Sequence, residues 1–192
     1  MIKINDLLEK LDLDNKIELE DIPGIDLYMD QIIQLFDNKF SKSDSDEKIL
    51  TKTMINNYAK AKLLFPIKNK KYSKKHIILI SLIYHLKGAL SINDIKDTLN
   101  GLNKKIADDE DFHLDDLYNS FLTINEQNIH NFKSDIQSRV NVVSTLLNES
   151  ESDQKDIEYF EQLLCIASFV NISNLYKNAA EKLVAEILHK NK

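Results

Sequence analysis

Apolar residues recur at intervals of three and four through most of the chain, the period that gathers them on one face of an α-helix. Ile4, Leu7, Leu8 and Leu11 predict a short helix within residues 2–13. Asp21, Ile22, Pro23 and Gly24 interrupt it. Leu27, Met29, Ile32, Ile33, Phe36 and Phe40 then form one face of a second helix, for which Asp26 is the expected N-cap. After a polar loop at residues 41–47, Thr51 is expected to cap a third helix through its hydroxyl. That helix carries Met54, Ile55, Tyr58, Ala61, Leu63 and Leu64, and it should stop before Pro66, because the residue preceding proline is driven out of the helical region. Residues 67–72 are short, basic and partly extended, enough for a hairpin or wing. Ser73 is expected to cap an apolar helix over residues 74–86. Ser91 does the same for residues 92–99, with Ile92, Ile95 and Leu99 on a shared face.

An acidic stretch, residues 108–111, reads as a hinge and as the best boundary in the chain. Beyond it a long helix is predicted over residues 114–147. There Ile129, Phe132, Ile136, Val140, Val143 and Leu147 are spaced 3, 4, 4, 3 and 4, which suits packing on other helices or a dimer seam. A polar break at residues 148–153 precedes a last helix or helix pair over 157–188.

Composition supports a helical reading. Three glycines and two prolines are too few for the frequent turns of a many-stranded fold, so the expected class is all-α. The strongest apolar run, residues 77–84, is too short to span a bilayer, and residues 1–20 lack the apolar segment of a signal peptide, so a cytoplasmic protein without a membrane partner is expected. Cys165 is the lone cysteine, in an apolar run, and reads as a small buried hydrophobe. His76, His85, His113, His130 and His189 show no metal-ligand spacing and read as partly buried or helix-end residues. No glycine-rich phosphate loop or nucleophile elbow is present. The expectation is a non-enzymatic protein with no catalytic residues, no cofactor and no metal.

Charge sharpens the picture. Between residues 48 and 93 there is no Asp or Glu, but there are ten lysines: 48, 52, 60, 62, 68, 70, 71, 74, 75 and 87. That stretch carries +10 in a chain of net charge −6, so the remainder carries −16. Such an island is what phosphate binding requires, since lysines displace the counterions condensed on nucleic acid. It would equally serve to dock an acidic protein surface, the chain's own acidic segments included.

The block Thr51-Lys-Thr-Met-Ile-Asn-Asn-Tyr-Ala-Lys-Ala-Lys-Leu-Leu-Phe-Pro, followed by Lys-Asn-Lys-Lys-Tyr-Ser-Lys-Lys-His-Ile, resembles the second helix and wing of MerR-type winged-helix regulators. Ile25-Asp-Leu-Tyr-Met-Asp-Gln, Ile49-Leu-Thr-Lys-Thr-Met-Ile-Asn-Asn-Tyr-Ala-Lys and Asn69-Lys-Lys-Tyr-Ser-Lys-Lys-His-Ile are similar to strings typical of the bacterial domain-of-unknown-function family 1836. This second resemblance spans about residues 22–100. Together they imply a MerR-like winged helix-turn-helix core over residues 22–107, an amino-terminal extension over 1–20, and a carboxy-terminal helical bundle or long-helix extension for dimerisation or effector response over 112–192.

By position, Thr51 resembles the helix cap, while Asn56, Asn57 and Tyr58 stand where MerR-type helices present groove and phosphate contacts, and Lys68, Lys70 and Lys71 fall in the wing. Lys52, Lys60, Lys62, Tyr72, Lys74 and Lys75 complete the expected nucleic-acid-binding set. Asn pairs bidentately with adenine and Lys neutralises phosphate. The chain departs from the MerR pattern in having Asn56 in place of Arg and Lys62 in place of a glycine. The implied function is a transcriptional regulator of double-stranded DNA, acting as a possible homodimer through its carboxy-terminal helices. The alternative is a protein–protein interaction module that docks an acidic partner on the same lysines.

Overall fold

The computed structural model describes residues 3–11, 13–41, 48–109, 111–149 and 154–190. Among them the chain forms α1 (Ile4–Lys10), β1 (Leu27–Tyr28), α2 (Met29–Phe40), α3 (Lys52–Lys60), β2 (Lys71–Tyr72), α4 (Lys74–Leu86), α5 (Ile92–Asp108), α6 (Leu114–Asn148) and α7 (Gln154–Lys190), with one 3-10 turn at Leu19–Asp21. The protein is mostly helical, as its glycine-poor composition predicts. Its only described sheet is the antiparallel pairing of β1 with β2, Leu27 opposite Tyr72 and Tyr28 opposite Lys71. No helix among the described residues is long and apolar enough to cross a membrane.

The chain divides into two compact units, one of Asn15–Leu122 with Ala180–Lys192 and the other of Met1–Asp14 with Thr123–Ala179. These seams differ from the acidic stretch that the sequence marks. Asp109 merely caps α5, and Leu114, Tyr118 and Leu122, downstream of it, bury in the same core as α2 to α5. Polar composition marked a short surface turn there, and the apolar residues after it decide the packing.

The larger unit is built around α4. Ile77, Ile78, Leu79, Ile80 and Ile83 are fully buried, so this helix is covered on every side, as an apolar helix without a polar face must be. Ile32 and Phe36 of α2, Ile55 of α3, Ile95 of α5 and Tyr118 of α6 pack into the same cluster. The Tyr118 hydroxyl donates to the Ile17 carbonyl and lies 2.8 Å from the Ser81 hydroxyl, so a buried polar chain joins three distant segments. In the smaller unit Val140, Val143 and Leu147 of α6 pack with Cys165 of α7.

Several expectations need correction. Helix α2 starts three residues after Asp26, because Leu27 and Tyr28 are drawn into the sheet; Gln31 then accepts a hydrogen bond from the Tyr28 amide at 2.8 Å. Helix α5 runs on to Asp108, well beyond residue 99, and Ile92 stays exposed while Ile95 and Leu99 are buried. Phe132 is partly exposed although it fits the apolar spacing of α6. Most of the expected loop at residues 41–47 lies outside the described residues. Cys165 is buried, as its apolar setting predicts.

Candidate nucleic-acid interface

Helix α3 begins as its sequence predicts. The Thr51 side chain accepts a hydrogen bond from the Met54 amide at 3.1 Å, satisfying one of the free donors of the first turn. It ends earlier than Pro66 demands. Lys62 takes a left-handed conformation with φ 60°, its amide donates to the Ala59 carbonyl, and the Leu63 amide reaches the Tyr58 carbonyl at 3.0 Å. This is the paired hydrogen-bond pattern that closes many helices, usually on glycine. Asn103 of α5 donates to the Leu63 carbonyl just beyond it at 3.0 Å.

The burial pattern divides α3 cleanly. Ile55 and Tyr58 face the core, while Lys52, Thr53, Asn56, Asn57 and Lys60 are exposed. At 100° per residue these five side chains fall within one arc of about 140°. Helix α3 therefore offers water a stripe of two lysines, two asparagines and a threonine.

The connection to α4 contains the hairpin. Asn69 and Lys70 both have positive φ, 52° and 59°, and the Lys71 amide donates to the Lys68 carbonyl at 2.9 Å. Two such residues in a row define the two-residue turn whose twist matches paired strands, a turn that commonly carries Asn-Gly. Lys68, Asn69 and Lys70 form its exposed tip.

Two contacts tie this hairpin and α3 to the same place. The Lys71 ammonium lies 5.3 Å from the centre of the Tyr28 ring, and the Lys52 ammonium pairs with Asp30 at 2.7 Å. Tyr28 and Asp30 are two residues apart, so the amino end of α3 and the hairpin strand both flank the start of α2. Sequence reading missed Tyr28, Asp30 and Thr53. Thr53 was readable from the helical period, since it precedes Asn57 by four; Tyr28 and Asp30 enter only through contacts with Lys71 and Lys52, residues distant in sequence.

Not every expected contact residue lies on this face. Tyr58 and Tyr72 are buried at 4% and 3% exposure, and burial pushes both phenols upward in pKa. Their rings complete the core, because helical and strand alternation point them inward, so neither reaches a phosphate. Lys74 is half-buried and paired with Asp115 of α6 at 2.8 Å. Lys87, part of the island, turns its ammonium to the Ile49 carbonyl at 3.4 Å and over the Tyr84 ring at 4.6 Å. Thr51 is partly occupied as the α3 cap, and Lys75 is half-buried. Asn56, Asn57, Lys60, Lys62, Lys68 and Lys70 are exposed.

A buried histidine fixes the root of the hairpin. His76 Nδ1 accepts from the Ser73 amide at 3.1 Å and lies 2.9 Å from the Ser73 hydroxyl, while Nε2 is 3.3 Å from the Phe65 carbonyl and the ring stacks on Phe65 at 3.7 Å. This is the neutral ring with its hydrogen on Nε2. Burial drives its pKa down to about 4, against a smaller opposing effect of the Phe65 carbonyl and of Asp26. Among the described residues no group of His, Cys, Asp or Glu is arranged to hold a metal ion.

A protein-family model described as "Domain of unknown function (DUF1836)" matches residues 17–121, more than half of the chain. The chain belongs to this family. The DUF1836 match covers β1 to α5, the hairpin and the first turns of α6, hence the whole exposed face built above. Comparison with curated proteins and with solved structures returned no match.

Proposed function

We propose that this protein is a non-enzymatic, cytoplasmic DNA-binding regulator whose DUF1836 region is a MerR-like winged helix-turn-helix. In this reading α3 enters the major groove and the 68–71 hairpin grips the flanking phosphates. The observation that carries it is the exposed stripe of α3, where Asn56 and Asn57 stand between Lys52 and Lys60. Asparagine supplies the donor and acceptor pair that reads adenine, and the lysines supply the phosphate contacts that position the helix. The hairpin adds Lys68 and Lys70 at a tip held against the same end of α2 as α3 is.

The test is a titration of mixed-sequence duplex DNA by fluorescence anisotropy at several salt concentrations. Affinity should fall steeply with salt, and Lys68→Glu/Lys70→Glu should weaken binding at every sequence, because both side chains are exposed and unneeded for the core. Asn56→Ala with Asn57→Ala should flatten preference among sequences more than it weakens binding overall. Absence of binding at low salt would reject the reading.

A second reading has its own support. Lys52 and Lys74 already hold carboxylates, Asp30 and Asp115, so this basic stretch engages acidic protein groups within the molecule. An acidic protein partner docked on the same lysines would survive nuclease treatment, whereas a DNA-mediated association would not.

A further inference from the structure

An acid stands at the amino end of the exposed α3 stripe. Asp30, in the first turn of α2, pairs with Lys52 at 2.7 Å, and the two side chains are 71% and 64% exposed. An ion pair this open to water contributes little to stability, so the fold does not depend on it. Lys52, Asn56 and Lys60 follow one another at intervals of four, which makes the partner of Asp30 the residue one helical turn before the first asparagine of the stripe. The start of α2 engages the hairpin as well, through the Lys71 ammonium over the Tyr28 ring, which is itself 54% exposed. One cation of α3 and one of the hairpin are thus held by the same edge.

Phosphate takes Lys52 only by displacing Asp30, and the freed carboxylate then lies against a polyanion. Duplex DNA relieves that repulsion at few places. In the major groove its donors are the amino groups of adenine and cytosine; adenine is the base that asparagine reads, and cytosine is the one a carboxylate reads. Any other base edge meets Asp30 as an unpaired charge, and such a penalty is how a binding surface rejects wrong partners. Resting on the DNA reading above, we infer that Asp30 is a specificity-determining residue of the α3 face: it withholds Lys52 from phosphate in general and releases it where the groove presents the amino group of a cytosine. A carboxylate in the first turn also suits the free amides of α2, but that local role neither involves Lys52 nor distinguishes one duplex from another.

Fluorescence anisotropy of the full chain with two duplexes tests this, one of mixed sequence and one selected from a randomised pool by the unaltered protein. Asp30→Asn should tighten the mixed-sequence duplex several-fold and steepen its salt dependence, because Lys52 joins the phosphate contacts, while the selected duplex gains little. Lys52→Ala should weaken mixed-sequence binding several-fold in the Asp30→Asn background and scarcely at all without it. Sequences selected by the unaltered protein should share a cytosine that those selected by Asp30→Asn lack. Helical circular dichroism should be the same throughout, since both side chains are exposed. Equal tightening on the two duplexes, no tightening, an equal effect of Lys52→Ala in both backgrounds, or the same selected sequences overturns the inference and leaves the DNA reading standing. Failure of the unaltered protein and of Asp30→Asn alike to bind the mixed-sequence duplex at low salt overturns both.

Discussion

His76 shows how one side chain can be both structural and titratable. Its neutral ring accepts the Ser73 amide that opens α4 and stacks on Phe65 at the exit from α3. The folded pKa near 4 lies below the ordinary value of 6.5, so between those values the unfolded chain binds a proton that the folded chain refuses. Its contribution is therefore complete above pH 6.5 and is lost as the pH falls towards 4. Urea denaturation at pH 4.5 should show a loss of about 2–3 kcal/mol relative to pH 7, and His76→Gln should flatten that dependence. Five histidines are visible in the sequence. Which one is buried against an aromatic ring was not visible, because Phe65 and His76 are eleven residues apart and meet only through the turn between α3 and α4.

The elements themselves were largely legible. Thr51, Ser73 and Ser91 begin α3, α4 and α5 at the residues predicted, and α6 and α7 run within three residues of the expected ends. Short-range chemistry sets these boundaries: a hydroxyl reaching the amide three residues ahead, and an apolar face repeating at 3.6. The carboxyl end of α3 was less legible, since proline at 66 gave only an outer limit. The actual stop is Lys62, a lysine held in a left-handed conformation where glycine is favoured. Lys62→Gly relieves that left-handed strain and should stabilise the protein by about 1 kcal/mol in urea denaturation. A destabilised variant would mean that the Lys62 side chain packs more than its exposure indicates. Strand β1 escaped prediction for a different reason: two residues are too few for an alternating pattern, and only pairing with Tyr72 and Lys71 makes them a strand.

Across the whole molecule, long-range partners redistribute what the chain supplies locally. Tyr118 is the clearest case, bonded to Ile17 across 101 positions in sequence and to Ser81 across 37. Tyr118→Phe keeps the ring but leaves a buried carbonyl and a buried hydroxyl each without that partner, and should cost about 1–3 kcal/mol in urea denaturation with the helical content retained. The basic island changes in the same way. Ten lysines without a neighbouring acid are a property of the sequence, as are the helical class, the caps and the apolar stripes, because each depends on residues within a few positions of one another. Folding then brings Asp30 to Lys52 and Asp115 to Lys74, turns Tyr58 and Tyr72 inward, and leaves Asn56, Asn57, Lys60, Lys68 and Lys70 in water. Which lysines stay available depends on contacts between segments distant in sequence, and no local pattern encodes those.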